Sequence, residues 1–315
     1  MSDCVIGIDI GGTNLRLALV SATGEIVARC RLSSMISEGL DAFCNRTLFG
    51  IDELRTEALA RNQSIAGIGV GVPGLVESSG MIHASVNMRP LDGFNLSTCL
   101  AEKTGLYVEC INDANAIALG EQQFGAGLGK SSFIVITIGT GLGSGLILDG
   151  KLWKGADGFA AEFGHVTVDP DGAVCHCGNH GCLEIYASAG ALLRAMDGLF
   201  PAESARYRPH TSEDVACMAR GGSIEARQAF DQMGRWLGIA LASLSNLLNL
   251  EAVIFGGGVA ASLDLFETAL HSELSMRCFP EIYAGLEIMK SKLGDDAGLL
   301  GAAALVSGRI RNTEG

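Results

Sequence analysis

The sequence is poor in basic residues and has no long apolar run. Its 315 residues include 22 lysines and arginines against 35 aspartates and glutamates, which gives a formal net charge of −13. An acidic surface repels nucleic-acid phosphates, so a DNA- or RNA-binding role is disfavoured, although a local cationic pocket for a nucleotide is compatible with this charge. No uncharged stretch approaches the ~18 apolar residues that a membrane helix needs, so we expect no membrane partner.

The amino terminus also lacks the features of a secretory signal. Residues 1–4 carry no basic segment and lead into no long apolar segment. Of the ten cysteines, seven are scattered along the chain and three are grouped at positions 175, 177 and 182. Scattered thiols with one metal-like group fit a reducing compartment better than a disulfide framework does. We therefore predict a cytoplasmic protein.

The composition that remains is that of a globular α/β protein. Hydrophobic residues make up 48% and charged residues 18% of the chain, which excludes a disordered class. The length exceeds the size at which a single core usually stops growing, so two lobes are expected. Short apolar strands alternate with helical patterns, which predicts an α/β fold. We interpret the clearest helical stripe as core, and it contains Phe230, Met233, Leu237, Leu241, Leu244 and Leu248.

Two glycine turns that lie half a chain apart predict a duplicated domain. Segment 5–10 has the pattern of a strand and runs into a Gly-Gly-Thr turn and a returning strand. Segment 133–138 runs likewise into a Gly-Thr-Gly turn, and the offset between the two units is 128 residues. Glycine hairpins are common, so two unrelated hairpins remain the alternative.

The same glycine turns are candidates for phosphate binding, because a tight turn between strands presents backbone N–H groups to an anion. Two such loops predict a triphosphate site, and a third glycine run after a strand could lie near adenine or ribose. The residues assigned to the nucleotide are Gly11, Gly12, Thr13, Asn14, Thr140, Gly141, Gly256 and Gly257. Asp9, at the end of the first strand, could hold a magnesium ion directly or through water. The alternative is a plain hairpin with a buried aspartate.

Asp113 lies where open α/β sheets place their ligands, after a strand over 107–111 and before a helix over 114–124. Aspartate is also a favoured helix N-cap, which is the structural alternative. Both roles are compatible, since a capping aspartate that faces a cleft could accept a proton from a substrate hydroxyl.

The most specific pattern is a group of cysteines and histidines. His165, Cys175, Cys177 and Cys182 fall within eighteen positions and can form a closed tetrahedral zinc site. A disulfide between cysteines one residue apart would be strained, which leaves free thiols as the alternative. His176 and His180 are competing ligands. Glu162 and Glu184 flank the group and are not needed as ligands, so zinc would fix them as acceptors for hydroxyl groups.

At these residues the sequence resembles the ROK family (repressor, open reading frame, kinase) over nearly its whole length. The motifs that carry the resemblance are 9–16, 69–74, 112–115, 139–145, 162–165, 175–184 and 294–299. The resemblance implies an actin-like, ribonuclease H-like ATPase fold with duplicated α/β domains in two lobes. We expect a small lobe over 1–113, joined by a C-terminal helix at about 300–315, and a large lobe with the zinc loop over 114–299.

The resemblance also implies roles for individual residues. Asp113 would be the general base on the sugar hydroxyl, and His165 would bind zinc through one ring nitrogen and touch the sugar with the other. The residues expected to hold the sugar are Gly74, Asn87, Asn112, Asp113, Glu162, His165 and Glu184. ATP, Mg²⁺ and a structural Zn²⁺ are the implied cofactors, and a homodimer is the implied assembly.

The function predicted from these features is ATP-dependent phosphorylation of a hexose, with glucose at O6 as the first choice. Leu91 stands where family glucokinases often carry tryptophan, so N-acetylmannosamine, N-acetylglucosamine, fructose and allose remain alternatives. A sugar-responsive repressor is the alternative from another class. Family repressors carry a DNA-binding segment before the first phosphate motif, and that motif starts here at Asp9, so we expect none. The intact Asp113 disfavours a sugar-binding protein without catalysis.

Overall fold

Two five-stranded sheets and one three-stranded sheet organise the chain of the computed structural model, which describes residues 3–85, 88–197 and 208–313. In chain order the strands are β1 (Asp3–Ile10), β2 (Asn14–Ser21), β3 (Ile26–Ser33), β4 (Ser64–Val72), β5 (Leu75–Val76), β6 (Met81–Ala84), β7 (Phe94–Asn95), β8 (Val108–Asn112), β9 (Phe133–Ile138), β10 (Leu142–Leu148), β11 (Lys151–Leu152), β12 (Ala252–Gly256) and β13 (Glu287–Lys290). The helices are α1 (Leu40–Ala60), α2 (Leu96–Thr104), α3 (Asp113–Phe124), α4 (Leu183–Tyr186), α5 (Ala189–Asp197), α6 (Ser212–Arg220), α7 (Ile224–Leu248), α8 (Leu263–Arg277), α9 (Pro280–Gly285) and α10 (Ala297–Thr313).

The chain divides into two compact units. The first comprises Met1–Gly129, Gly145–Ala161 and Lys292–Gly315, and the second comprises Lys130–Ser144 and Glu162–Ser291. This division differs from the boundary expected between residues 113 and 114. Helix α3 packs directly on α10 and on β4, so the helix that follows Asp113 belongs with the first sheet.

The sheet of the first unit has the strand order β3-β2-β1-β4-β8. β1 to β3 are antiparallel neighbours, while β4 and β8 run parallel to β1. Helices α1 and α2 contribute to a core with Ile6, Ile8 and Leu17, whereas α10 packs with Val5 and Val20. Since consecutive strand residues point to opposite faces, the sheet is covered on both sides.

The sheet to which the second unit contributes has the order β11-β10-β9-β12-β13. β9, β12 and β13 are parallel, and β10 and β11 form an antiparallel pair. Helix α7 packs along α8. The predicted helical stripe is confirmed over its first four members, because Phe230, Met233, Leu237 and Leu241 are fully buried. Leu244 and Leu248, near the end of α7, are only half-buried.

The two large sheets share one strand order: the third, second, first, fourth and fifth strand of each set. This repetition confirms the duplicated α/β architecture that the glycine turns predicted. Each turn joins the first two strands of its own sheet. Within the part of the chain described here, no helix has the length and apolar character needed to cross a membrane.

Candidate active site

In the first unit, Asn112 closes β8 and Asp113 opens α3. The Asn112 side chain accepts a hydrogen bond from the Asn115 amide at 3.1 Å and donates to the Gly74 carbonyl at 3.0 Å. Asn112 is therefore the N-cap of α3, and Asp113 is the first helical residue rather than the capping residue considered above. One oxygen of Asp113 accepts from the Ala114 amide at 2.9 Å, at the helix end that favours negative charge.

Gly74, whose carbonyl accepts the hydrogen bond from Asn112, has a backbone conformation that favours glycine. Its φ of 108° is open to glycine, and a Cβ there would lie 2.1 Å from the Ala84 carbonyl oxygen. The bond from Asn112 thus brings two of the expected sugar-binding residues into direct contact. Asn87, a third, lies outside the described residues.

Three carbonyl groups of the first glycine turn accept hydrogen bonds that fix its conformation. Gly11 donates to the Asn14 carbonyl at 2.8 Å, while Ser34 donates through its amide to Thr13 at 3.0 Å and through its hydroxyl to Gly12 at 2.8 Å. Among the described residues, no acceptor takes a hydrogen bond from the amides of Gly12 and Thr13, and both residues are exposed. Two adjacent exposed amides on a fixed turn can bind an anion.

Asp9 lies opposite Arg16 across the β1–β2 pair, and the two side chains form an ion pair. The Asp9 side chain is 13% exposed. Burial raises the pKa of Asp9, and the charge of Arg16 partly opposes that rise. Arg16 also donates to the Asp295 carbonyl at 3.0 Å. Asp9 is thus a carboxylate already paired with a cation, and a magnesium ion there would share it with Arg16.

In the second unit, the second glycine turn is held by residues about forty positions further along the chain. Gly139 donates to the Gly141 carbonyl at 2.9 Å and accepts from the Ala189 amide at 2.8 Å. The Leu142 amide donates to a carboxylate oxygen of Glu184 at 2.9 Å. A Cβ at Gly141 would lie 2.4 Å from the same oxygen, so a larger residue there would force the Glu184 carboxylate to move.

The third glycine segment lies beside this turn. Gly256 ends β12 opposite Thr137 of β9, and a Cβ on Gly257 would lie 2.5 Å from the Ile138 carbonyl oxygen. Thr140, at the tip of the turn, is exposed. The structure thus brings the expected phosphate and adenosine segments of this unit together.

The expected metal ligands also converge. One ligand atom from each of His165, Cys175, Cys177 and Cys182 lies within 4.8 Å of every other. The Cys175 sulfur is 3.7 Å from His165 Nδ1, and the sulfurs of Cys177 and Cys182 are 3.6 Å apart. Two atoms about 2.3 Å from one ion at the tetrahedral angle are about 3.8 Å apart, so the donor set and its spacing fit zinc.

The electrostatics of these thiols are uneven. The pKa of the Cys177 thiol is lowered, mainly by the backbone N–H of Asn179, whereas burial raises the pKa of Cys182 to about 12. A bound divalent cation would hold all three cysteines as thiolates. The competing histidines lie outside the group, and His180 Nδ1 is 3.3 Å from the Gly172 carbonyl.

Glu162 lies three residues before His165. The amide of Phe163 donates to Ser144 at 3.2 Å, and His165 donates to the Glu162 carbonyl at 3.0 Å. Although Glu162 keeps contact with solvent, the partial loss of water around its carboxylate raises its pKa. His165 opposes the rise and Glu184 adds to it. The two carboxylates and the imidazole therefore interact, and such a group can exchange hydrogen bonds with hydroxyl groups.

The family model for ROK proteins matches residues 5–309. This chain belongs to the ROK family. The glucokinase of Halalkalibacterium halodurans is 34% identical to this ROK protein over 98% of the chain and 96% of the relative. The xylose repressor of Caldicellulosiruptor bescii is 35% identical over 96% of the chain and 77% of the relative. A Streptomyces griseus ROK glucokinase, solved with glucose and AMPPNP, is 31% identical at a TM-score of 0.77, covering 96% of this chain and 98% of that one.

These relatives confirm the family and the actin-like ATPase fold. The structure of the ROK protein also contains positioning residues that the sequence analysis missed, namely Ser34, Ser144 and Ala189. No local pattern identifies them, since each acts through hydrogen bonds to a distant segment. Leu91, which stands where tryptophan was expected, is fully buried in the core of the first unit, so its side chain serves packing.

Proposed function

We propose that this ROK protein is an ATP-dependent sugar kinase that phosphorylates glucose at O6, with Asp113 as the general base. The observation that carries the proposal is the position of Asp113, a carboxylate at the first residue of α3 and directly after the Asn112 cap that anchors Gly74. The glucokinase relatives, matched over nearly the full length of both chains, support glucose as the acceptor.

In the proposed reaction, Asp113 accepts the proton of the sugar hydroxyl as its oxygen bonds to the γ-phosphorus of ATP, and ADP leaves with the electrons of the broken P–O bond. Asn112 and Gly74 hold the segment from which Asp113 projects. A magnesium ion bound with ATP supplies neutralisation of the phosphate charge, and Asp9 is the carboxylate that would help to hold it. Glu162 and Glu184 would accept hydrogen bonds from sugar hydroxyls, and His165, with one ring nitrogen on zinc, would donate the N–H of the other to a sugar oxygen.

We further infer that the glycine turns bind nucleotide phosphates. In the first unit the donors are the amides of Gly12 and Thr13, with Asn14 beside them, and Gly11 shapes the turn. In the second unit Thr140 and Gly141 would contact phosphate, and Gly256 and Gly257 would lie near adenosine. Exposed backbone amides suit this task because they present fixed dipoles without a counter-charge.

We also infer that Zn²⁺ is bound by His165, Cys175, Cys177 and Cys182, where it stabilises the loop over 165–182. A closed four-ligand set leaves no position for water, so the ion would have a structural role. A cytoplasmic location stays a prediction of the cysteine distribution, and a homodimer stays a prediction of the family resemblance.

A sugar-responsive regulator is the second candidate, because the xylose repressor relative is as similar to this chain as the glucokinases are. A coupled assay of ADP release distinguishes the two functions. Glucose, xylose, fructose, allose, N-acetylglucosamine and N-acetylmannosamine would each be tested with Mg-ATP. The proposal expects the highest kcat/KM with glucose. Sugar binding without ADP release from any of them would instead establish the regulator.

A further inference from the structure

Glu184 has a contact that a sugar ligand alone would not need. Its carboxylate accepts a hydrogen bond from the Leu142 amide at 2.9 Å, and it fills the space against Gly141 where a side chain would otherwise extend. Leu142 ends the second glycine turn and begins β10. The carboxylate is therefore bound to the backbone of the turn itself.

A second bond ties the same chain segment to the same turn. The Ala189 amide, five residues after Glu184, donates to the Gly139 carbonyl at 2.8 Å. The turn over 139–142 is thus held at both ends by one short stretch of chain, 184–189. That stretch starts two residues after Cys182, which is the N-cap of α4 and a member of the Cys/His group.

We propose that Glu184 is a positioning residue for the second glycine turn: its carboxylate fixes the Leu142 amide and so presets the turn for a nucleotide phosphate before any sugar is bound. This inference rests on the proposed function, which assigns the turn to nucleotide and Glu184 to sugar. Glu184 would then serve both substrates, one through contact and the other through the backbone of the turn.

The charge and geometry of the contact explain why a carboxylate occupies this position. A backbone N–H that donates to an ionised oxygen forms a stronger hydrogen bond than one that donates to a neutral acceptor. Glu184 is half-buried, so water competes less for both groups. If the oxygen is removed, the Leu142 amide loses its partner and the turn can adopt other conformations.

The experiment measures binding of Mg-ADP to the sugar-free full-length protein by isothermal titration calorimetry. Glu184→Ala should weaken Mg-ADP binding on the order of tenfold, the cost of one charged hydrogen bond. Glu184→Gln should stay within about threefold of wild type, since its amide oxygen can still accept from Leu142. Glu251→Ala is the matched control. Glu251 is also half-buried and accepts backbone hydrogen bonds from Ser131 and Ser132 at 3.0 Å, but it lies outside the assigned residues, so this variant should leave Mg-ADP binding unchanged.

The outcomes separate the inference from the function on which it rests. Wild-type protein that binds Mg-ADP while Glu184→Ala binds it equally well would overturn the positioning role and leave the kinase intact. Wild-type protein that neither binds Mg-ADP nor releases ADP with any sugar would overturn the proposed function itself. Zinc content is measured for each variant, and loss of metal from Glu184→Ala would assign the effect to the Cys/His group and count against the inference.

A double-mutant cycle provides a second test that does not depend on sugar binding. Gly141→Ala introduces a methyl group that clashes with the Glu184 carboxylate and should weaken Mg-ADP binding by itself. In Glu184→Ala that clash is absent. The double variant should therefore bind Mg-ADP at least as tightly as whichever single variant has the lower affinity. Additive losses would contradict the contact. Should Glu184→Ala fail to fold, Glu184→Asp replaces it, because the shorter side chain withdraws the carboxylate from Leu142.

Discussion

The pair Asn112–Asp113 shows how adjacent residues can divide structural and chemical work. Asn112 caps α3 and anchors Gly74, so its side-chain oxygen and one of its N–H groups are used within the fold. Asp113 is the first helical residue, and one of its oxygens accepts a hydrogen bond from the Ala114 amide. The role in proton transfer that we propose for this carboxylate is the basis of the first prediction.

Replacement of Asp113 by Asn should lower kcat by about 10²–10⁴-fold, the usual contribution of a general base, while the sugar dissociation constant changes little. Steady-state kinetics and calorimetry measure the two quantities. Asp41→Asn is the matched control, since Asp41 is an exposed acid in the first turn of α1 and has the same interaction with a helix dipole. A kcat near that of wild type in Asp113→Asn would remove this residue from the chemistry.

Replacement of Asn112 by Ala should lower the free energy of unfolding by about 1–2 kcal/mol, because the cap of α3 is lost. It should also raise the sugar KM, because Gly74 loses its anchor. Asn95→Ala is a close match: Asn95 caps α2, accepts from the Thr98 amide at 2.9 Å and donates to the Ser79 carbonyl at 3.2 Å. Both variants should lose similar stability in urea, and only Asn112→Ala should change KM. Equal KM values would show that the Asn112 bond has no role in sugar binding.

At the scale of elements, the short helix α4 connects three features of the second unit. Cys182 caps its start, Glu184 bonds the second glycine turn, and Tyr186 ends it. The Tyr186 hydroxyl donates to Asp169 at 3.0 Å, and its ring stacks on Trp236 of α7 with centroids 4.6 Å apart. A substitution at either end of α4 should therefore disturb the contacts made at its other end.

Cys182→Ala should lose about one zinc per chain, measured by metal analysis, because a closed site with three remaining ligands binds weakly. It should raise the sugar KM strongly and also weaken Mg-ADP binding, since α4 holds the glycine turn. Cys278→Ala is the control: Cys278 is likewise buried in the second unit but lies outside the Cys/His group. Absence of zinc from wild-type protein purified without chelators would contradict the metal assignment.

Tyr186→Phe should speed the release of zinc to a chelator several-fold, because the loop over 165–182 loses its bond from Asp169 to α4. Release can be followed through Trp236, which stacks on Tyr186; the protein has two tryptophans, so Trp153→Phe provides a clean background. Tyr283→Phe is the matched control, as it removes a hydroxyl 3.2 Å from His271 in the same unit. Identical release rates in the two variants would show that the Asp169 bond does not hold the loop.

At the scale of the whole molecule, two sheets with one strand order carry different additions. The first unit adds the small sheet of β5, β6 and β7, which follows Gly74, whereas the second adds the Cys/His loop before α4. The shared order places a glycine turn after the first strand of each sheet. A duplicated glycine turn and unit-specific additions fit the proposed nucleotide-dependent enzyme, in which we expect acceptor specificity to lie in the additions.

The sequence alone determined much of the fold and of the candidate site. The apolar strands, the glycine turns and the helix over 224–248 follow from short-range periodicity. The Cys/His group follows from ligand types at close spacing, and the ROK family follows from the ordered set of motifs. Each of these signals lies within about twenty neighbouring residues or in their order, so no knowledge of packing was needed to find them.

Only the tertiary structure decided which distant residues meet. Ser34 holds Gly12, Asn112 anchors Gly74, and Glu184 bonds Leu142, across separations of 22, 38 and 42 residues. The placement of α3 with the first sheet likewise depends on its contact with α10 at the other end of the chain. Such pairings arise from the way sheets and helices pack, and a single hydrogen bond leaves no periodic trace in the sequence that would reveal its partner.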